Sequence, residues 1–353
     1  TGMVSALAWS PDGNTLLSGS HDQTVILWNA FKEGTDLAFQ QKVDLAGLPN
    51  ALPTEVYAVA WAPDNSGRIL IAGNNVQMWR YTCVSNCGAS NAAGRFDYLD
   101  NLAGSSCPGS SCLGRVNSIA WSPVASCGST DCTENPGQAC YFATGHCDPT
   151  FGCLQDGGAV RMWKCNGDEL PGGHESMSDS DDEHQRGVHS LAFNENGCRL
   201  VSGSNDYTIK AWRASDLTTT PLTGVGHLRA VTSVAFNPEG DRLASTSEDG
   251  LVKIWGIDDF GIANLATGDG FSGFLNAVGY SHDGKMIATG AASGQVRTWD
   301  RGDVANAFIG DTPSLEGHVR SVSFSPDGLR VVSSNRRESG QDEFDALDSC
   351  VRG

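Results

Sequence analysis

One pattern of short strands and turns is written seven times along this chain. It is clearest between Val231 and Trp255. An alternating apolar run, VTSVAF, leads into a Pro-Glu-Gly turn, and a second run, RLASTS, leads into an Asp-containing turn. A third run then ends in Trp255. A repeated unit of this size cannot bury its apolar face alone and must stack on its neighbours, so the repeat dictates the architecture. The first runs begin at Val4, Val56, Val116, Val188, Val231, Leu275 and Val319. Their apolar residues alternate with small or polar ones, the period-two signature of a strand. Turn chemistry follows at 11–13, 63–65, 194–197, 238–240, 282–284 and 326–328. There Pro presets φ, and Gly or Asn accepts the left-handed position. The second runs, such as RLVSGS and MIATGA, are small and apolar, as suits a strand packed on both faces. The third runs end at Trp28, Trp79, Trp163, Trp212, Trp255 and Trp299.

On these residues the chain resembles the WD-repeat family over nearly its whole length. The family's closing Asp is kept only at Asp300; Asn29, Arg80, Lys164, Arg213 and Gly256 follow the other tryptophans. Gly-His dipeptides before the first run appear at Gly173-His174, Gly226-His227 and Gly317-His318. The resemblance implies an all-β fold: one domain over residues 1–353, a seven-bladed β-propeller of four-stranded antiparallel blades. It also implies a buried relay of His227, Ser247, Asp249 and Trp255. Partial copies around Asp22 with Trp28 and Asp206 with Trp212 make this structure rather than a catalytic triad, since a reaction needs one copy and not one per blade. The ligand-facing positions implied are His21, Tyr57, Asn117, His189, Asn205, Tyr207 and Arg320, whose chemistry suits protein contact. The plain alternative is a solvated rim. The seventh repeat continues into RRESGQDEFDALDSCVRG, with no Trp and poor strand propensity. It offers weak support for a third strand and none for a fourth. The last blade is therefore expected to be incomplete, with an edge open to other chains, unless the chain continues past Gly353.

Charge and cysteine content narrow the function. Lys and Arg number 23 against 41 Asp and Glu, a net charge of −18. That balance argues against nucleic acid and against anionic membranes as partners. No apolar run reaches the ~18 residues of a membrane span. The chain opens without Met or a signal peptide, the expectation for a processed or trimmed product. It carries no N-glycosylation sequon. The cysteines are Cys83, Cys87, Cys107, Cys112, Cys127, Cys132, Cys140, Cys147, Cys153, Cys165, Cys198 and Cys350. Most fall in Gly/Ser-rich insertions at 81–115 and 124–158, which read as long loops. Trp79 and Trp163 are 84 residues apart, against 43 for Trp212 and Trp255. An even count of clustered cysteines reads as a disulfide framework in an oxidising compartment. Zinc and free thiols are the competing readings. The blade topology implied by the resemblance pairs Cys83–Cys87, Cys107–Cys112, Cys127–Cys132, Cys147–Cys153 and Cys165–Cys198, leaving Cys140 and Cys350 unassigned.

No nucleophile, metalloprotease or phosphate-loop motif is present, so no catalytic residue and no cofactor are expected. A weak Ca²⁺ candidate is the acidic stretch with Asp179, Asp181, Asp182 and Glu183; a solvated loop is the simpler reading. The expected function is a non-enzymatic protein-interaction scaffold, extracellular or in the secretory lumen and reinforced by disulfides. Its partners would be other protein chains, copies of itself among them. Three alternatives stay open. One is a glycan- or small-ligand-binding propeller, which needs stacking aromatics such as Phe96, Tyr98 and Phe151. Another is an enzyme with its site in the channel. The third is an intracellular-type WD-repeat adaptor.

Overall fold

The computed structural model describes residues 2–30, 37–44, 55–85, 93–103, 115–123, 141–147, 158–164, 184–214, 217, 220–259, 261–269, 273–300, 308–311, 317–336 and 342–347. Among them the strands form seven antiparallel sheets, each a meander in chain order. Sheet one holds β1 (Val4–Trp9), β2 (Thr15–Ser20), β3 (Thr24–Ala30) and β4 (Leu37–Asp44). Sheet two holds β5 (Ala58–Trp61), β6 (Arg68–Ala72), β7 (Val76–Ser85) and β8 (Ala93–Ala103). Sheet three holds β9 (Arg115–Trp121), β10 (Tyr141–Cys147) and β11 (Val160–Lys164). Sheet four holds β12 (Val188–Phe193), β13 (Arg199–Ser204), β14 (Ile209–Arg213) and β15 (Leu222–Gly224). Sheet five holds β16 (Val231–Phe236), β17 (Arg242–Ser247), β18 (Val252–Ile257) and β19 (Ile262–Gly268). Sheet six holds β20 (Leu275–Tyr280), β21 (Met286–Ala291), β22 (Val296–Asp300) and β23 (Phe308–Asp311). Sheet seven holds β24 (His318–Phe324), β25 (Val331–Arg336) and β26 (Asp342–Leu347).

The apolar cores lie between sheets. Ala244, Val252 and Ile254 of sheet five pack on Leu275, Val278, Ile287 and Trp299 of sheet six, and similar clusters fill the other junctions. Each first strand packs on the first strand of the next sheet, and β24 packs on both β20 and β1. The approach is close. A Cβ built on Gly203 would lie 2.6 Å from Val231 Cγ1 of the following sheet, and one on Gly290 would lie 2.4 Å from Val319 Cγ1. The small residues of the second strands thus serve the junction between sheets more than their own sheet.

Hydrogen bonds staple the same junctions. The residue after the first Val donates to the next sheet's backbone: Asn117 Nδ2 to Val188 O at 3.1 Å, Thr232 Oγ1 to Leu275 O at 2.7 Å, and Asn276 Nδ2 to Val319 O at 2.8 Å. One residue further on, Ser118, Ser190 and Ser233 accept the backbone N–H of Leu191, Val234 and Val278.

Two expectations are corrected. The segment 81–115 is not loop throughout: β7 runs to Ser85 and β8 fills 93–103. Phe96 and Tyr98 are consequently no free platform. They alternate onto the inner face of β8, with Phe96 stacked on Trp79 at 5.1 Å and Tyr98 edge-on to it at 5.1 Å. The seventh repeat does form a third strand, because β26 pairs with β25 residue by residue from Val331–Leu347 to Arg336–Asp342. Backbone pairing there overrides weak side-chain propensity. A fourth strand is absent from sheet seven among the described residues.

Replacing Gly203 by Val drives a branched side chain into Val231. The expected cost is about 1–3 kcal/mol, read as a lower urea midpoint at unchanged slope.

Candidate functional site

Register decides which side chain meets each tryptophan. Trp255 lies opposite Leu243, and its indole N–H donates to the hydroxyl of Ser245, two residues along, at 2.8 Å. The same offset joins Trp28 to Ser18 (2.9 Å), Trp163 to Thr144 (2.7 Å), Trp212 to Ser202 (2.8 Å) and Trp299 to Thr289 (3.0 Å). In sheet two Ile71 stands at that place, and the Trp79 N–H goes to Gln77 Oε1 at 3.1 Å.

In sheets four and five a histidine extends the link. His227 Nε2 lies 2.7 Å from Ser245 Oγ, and its Nδ1 lies 2.9 Å from Asp249 Oδ2. His184 repeats this with Ser202 at 2.6 Å and Asp206 at 2.7 Å. A neutral imidazole with its proton on Nδ1 satisfies every link: Asp accepts from it, Nε2 accepts from Ser, and Ser accepts from Trp. The relay therefore runs through Ser245 and not Ser247. Ser247 is one pleat nearer the turn, where its hydroxyl donates to Arg229 O at 3.2 Å and accepts the Asp249 N–H at 3.0 Å. His184 escaped the sequence reading because the histidine was sought in a Gly-His dipeptide. The usable signal was spacing, since His184 and His227 each stand four residues before the first Val of their sheet. Gly173-His174 lies outside the described residues. In sheet three the imidazole comes from β10 itself, with His146 Nε2 2.7 Å from Thr144 Oγ1. His318 begins β24 directly and is exposed.

These constellations are load-carrying parts of the fold and not nucleophiles. Ser202 and Ser245 are fully buried and already engaged on both sides. Burial by itself would raise Asp206 and Asp249. Hydrogen bonds from His184 and His227, helped by turn donors, outweigh it and hold both at about 2. Sheet seven lacks the tryptophan, for Leu347 pairs with Val331, and the equivalent Ser333 hydroxyl is buried without a partner.

The Asp turns and the starts of the first strands form one rim. His21 meets Tyr57 edge-on at 4.8 Å, and the Tyr57 hydroxyl donates to Glu55. Arg115 covers the Tyr57 ring at 3.8 Å and donates to Asn117 Oδ1 at 2.7 Å. Burial, then Glu55, push the Tyr57 phenol up. Asn117 is thus spent on Arg115 and on its staple to Val188. Burial lowers the His189 imidazole, against a hydrogen bond that its ring donates to Asn205 and that favours its charge. Tyr207 is exposed, with the Arg186 guanidinium 5.6 Å over its ring, and Arg320 is exposed on β24. Arg229 lies 5.8 Å over Phe274. The arginines were missed in the sequence, although Arg115, Arg186 and Arg229 each stand one or two residues before a first Val. The acidic stretch with Asp179, Asp181, Asp182 and Glu183 lies outside the described residues.

Tyr207 is also strained. Its φ is +74°, at the turn position that Gly250 and Gly294 occupy in sheets five and six with φ of +80° and +83°. A left-handed backbone on an aromatic residue costs about 1–2 kcal/mol.

Residues 1–29, 178–213, 219–256, 264–300 and 311–342 match the family model of the WD domain, G-beta repeat. These five matches support a WD-repeat family, whose fold is a generally non-enzymatic scaffold for protein interaction. A search of curated proteins found no match. Sheets two and three fall outside the matched segments, and they are where Gln77 and His146 replace the usual relay.

Two measurements check this site. Ser245→Ala strands an indole N–H and is expected to cost about 1–3 kcal/mol, while Ser333→Ala removes an orphan hydroxyl and leaves stability unchanged or higher. Both are read by denaturant titration. Asp206 and Asp249 sit below the ordinary carboxylate value of 3.8, so their contribution is full above it and fades as pH falls from about 4 to about 2. Thermal midpoints measured down that window should fall, and Asp249→Asn should flatten the fall.

Proposed function

We propose that the chain is a closed seven-bladed WD-repeat propeller, a single unit over residues 1–353, that binds other protein chains on the Asp-turn rim. The seven sheets and the packing of β24 on β1 support that architecture. The observation that carries the binding role is Tyr207. A strained, 41% exposed aromatic stands where glycine would relieve the backbone, and strain of this kind is kept where function uses it. Around it the rim exposes Val225 (70%), Leu228 (77%) and Phe274 (45%), with Arg186 and Arg229 over two of the rings. Aromatic residues and arginine are the side chains enriched at protein interfaces.

We place this scaffold in an extracellular or lumenal setting, reinforced by disulfides, with copies of itself among its partners. The disulfide-bonded state of Cys83, Cys147 and Cys198 supports that reading. The other cysteines of the expected pairs lie outside the described residues. The glycan-binding alternative loses Phe96 and Tyr98 to the core of sheet two, and Phe151 is not described.

Tyr207→Gly separates folding from binding. It should hold or raise the thermal midpoint while lowering self-association in non-reducing buffer, or retention of a bound partner, by about tenfold or more. Light scattering and affinity retention read the second effect. Unchanged association would remove the rim from the proposal. Mass mapping of non-reduced peptides should find Cys83, Cys147 and Cys198 in disulfides.

A further inference from the structure

The first strands have a second end. Those of sheets one, two, six and seven finish in Trp9, Trp61, Tyr280 and Phe324. These four side chains line one cavity of about 380 Å³, together with three prolines, Ser10, Ser325 and His282 of the turns that follow. No lysine, arginine or carboxylate is in its lining. Each of the four turns carries a carboxylate that is not in the lining: Asp12, Asp64, Asp283 and Asp327.

These carboxylates stay ionised. Burial would raise Asp12, Asp64 and Asp327, but donors of their own turns outweigh it. For Asp283 the Ser281 hydroxyl is the leading cause of lowering, and all four lie below the ordinary carboxylate value. Asp12 is held by the Ser10 hydroxyl at 2.6 Å and by the Asn14 amides at 3.0 and 2.9 Å. Asp327 takes the Ser325 hydroxyl and the Leu329 N–H at 3.0 Å. Asp64 pairs with Arg68 and Asp283 with Lys285. Asp327 also feels the Arg330 guanidinium, whereas Asp12 is held by neutral turn donors alone, so among the described residues the least compensated negative charge stands beside Trp9.

We infer that this cup is a binding site for a quaternary ammonium group on a short apolar stem. Aromatic faces attract a weakly hydrated cation and contact its methyl groups, and carboxylates outside the lining supply the field without competing for the cavity. A primary ammonium fits less well, because its tightly held water must be shed. The site is distinct from the Asp-turn rim and does not depend on what that rim binds.

The test uses choline chloride and Nε-trimethyl-lysine as ligands, read by calorimetry and by the change in intrinsic tryptophan fluorescence that Trp9→Leu should remove. Lysine and the uncharged isostere 3,3-dimethyl-1-butanol are the controls. Saturable binding of a quaternary ligand, about tenfold or more tighter than either control, is the expected result. Trp9→Leu should abolish it. Asp12→Asn with Asp327→Asn keeps the Asn-compatible turns while removing the charge, and should weaken binding severalfold at low salt and less at high salt. Equal affinity for the isostere, or no saturable binding, overturns the inference.

Discussion

The approach of each first strand onto the second strand of the preceding sheet is the contact on which the other features rest. Where Gly203 meets Val231 and Gly290 meets Val319, no side chain separates the two backbones. That proximity lets Asn117, Thr232 and Asn276 reach the neighbouring carbonyl, and lets Ser118, Ser190 and Ser233 accept the neighbouring amide. It also sets the dimensions of the molecule. The aromatic cup lies at the far ends of first strands four to seven residues long, so it stands roughly 13–24 Å from their rim ends. A ligand at one end does not touch a ligand at the other.

Each sheet but the seventh must also place the indole N–H of its third-strand tryptophan. The two-residue offset between a tryptophan's strand partner and its hydroxyl acceptor solves this in sheets one, three, four, five and six. The histidine and aspartate of sheets four and five build on that first bond and bring the Asp turn into the core. The turn is therefore rigid where it presents Tyr207 and Leu228 to solvent. A rigid scaffold under an exposed loop is the arrangement that lowers the entropic cost of binding.

The repeat made most of this legible before any coordinates. Alternation located the first strands, and the terminal tryptophans located the third. What escaped followed from register. Ser245 and Ser247 share a face of β17, and only the pairing of Trp255 with Leu243 tells which of them the indole reaches. His184 was hidden because the sequence was matched to a dipeptide and not to a distance from Val188. The strands β8 and β26 escaped because composition alone read their segments as loop, whereas backbone pairing with β7 and β25 draws them into sheets. Of the rim, Tyr57, His189 and Tyr207 were readable as positions. Their arginine partners Arg115 and Arg186 share a position just before a first Val, but the rings they cover lie 58 and 21 residues away in sequence, so the contacts themselves leave no local pattern.

The packing of β24 on β1 has a kinetic meaning. These strands are more than 300 residues apart in the chain yet adjacent in space. Every other junction joins sheets that are neighbours in sequence and can form as the chain collapses locally. This one must wait for six sheets to be in place, because the entropy of closing so long a loop is recovered only at the end. The sheet that completes it is also the one without a tryptophan and with an orphan hydroxyl at Ser333. The junction of longest sequence separation and the sheet that lacks the tryptophan–hydroxyl bond thus coincide at one seam.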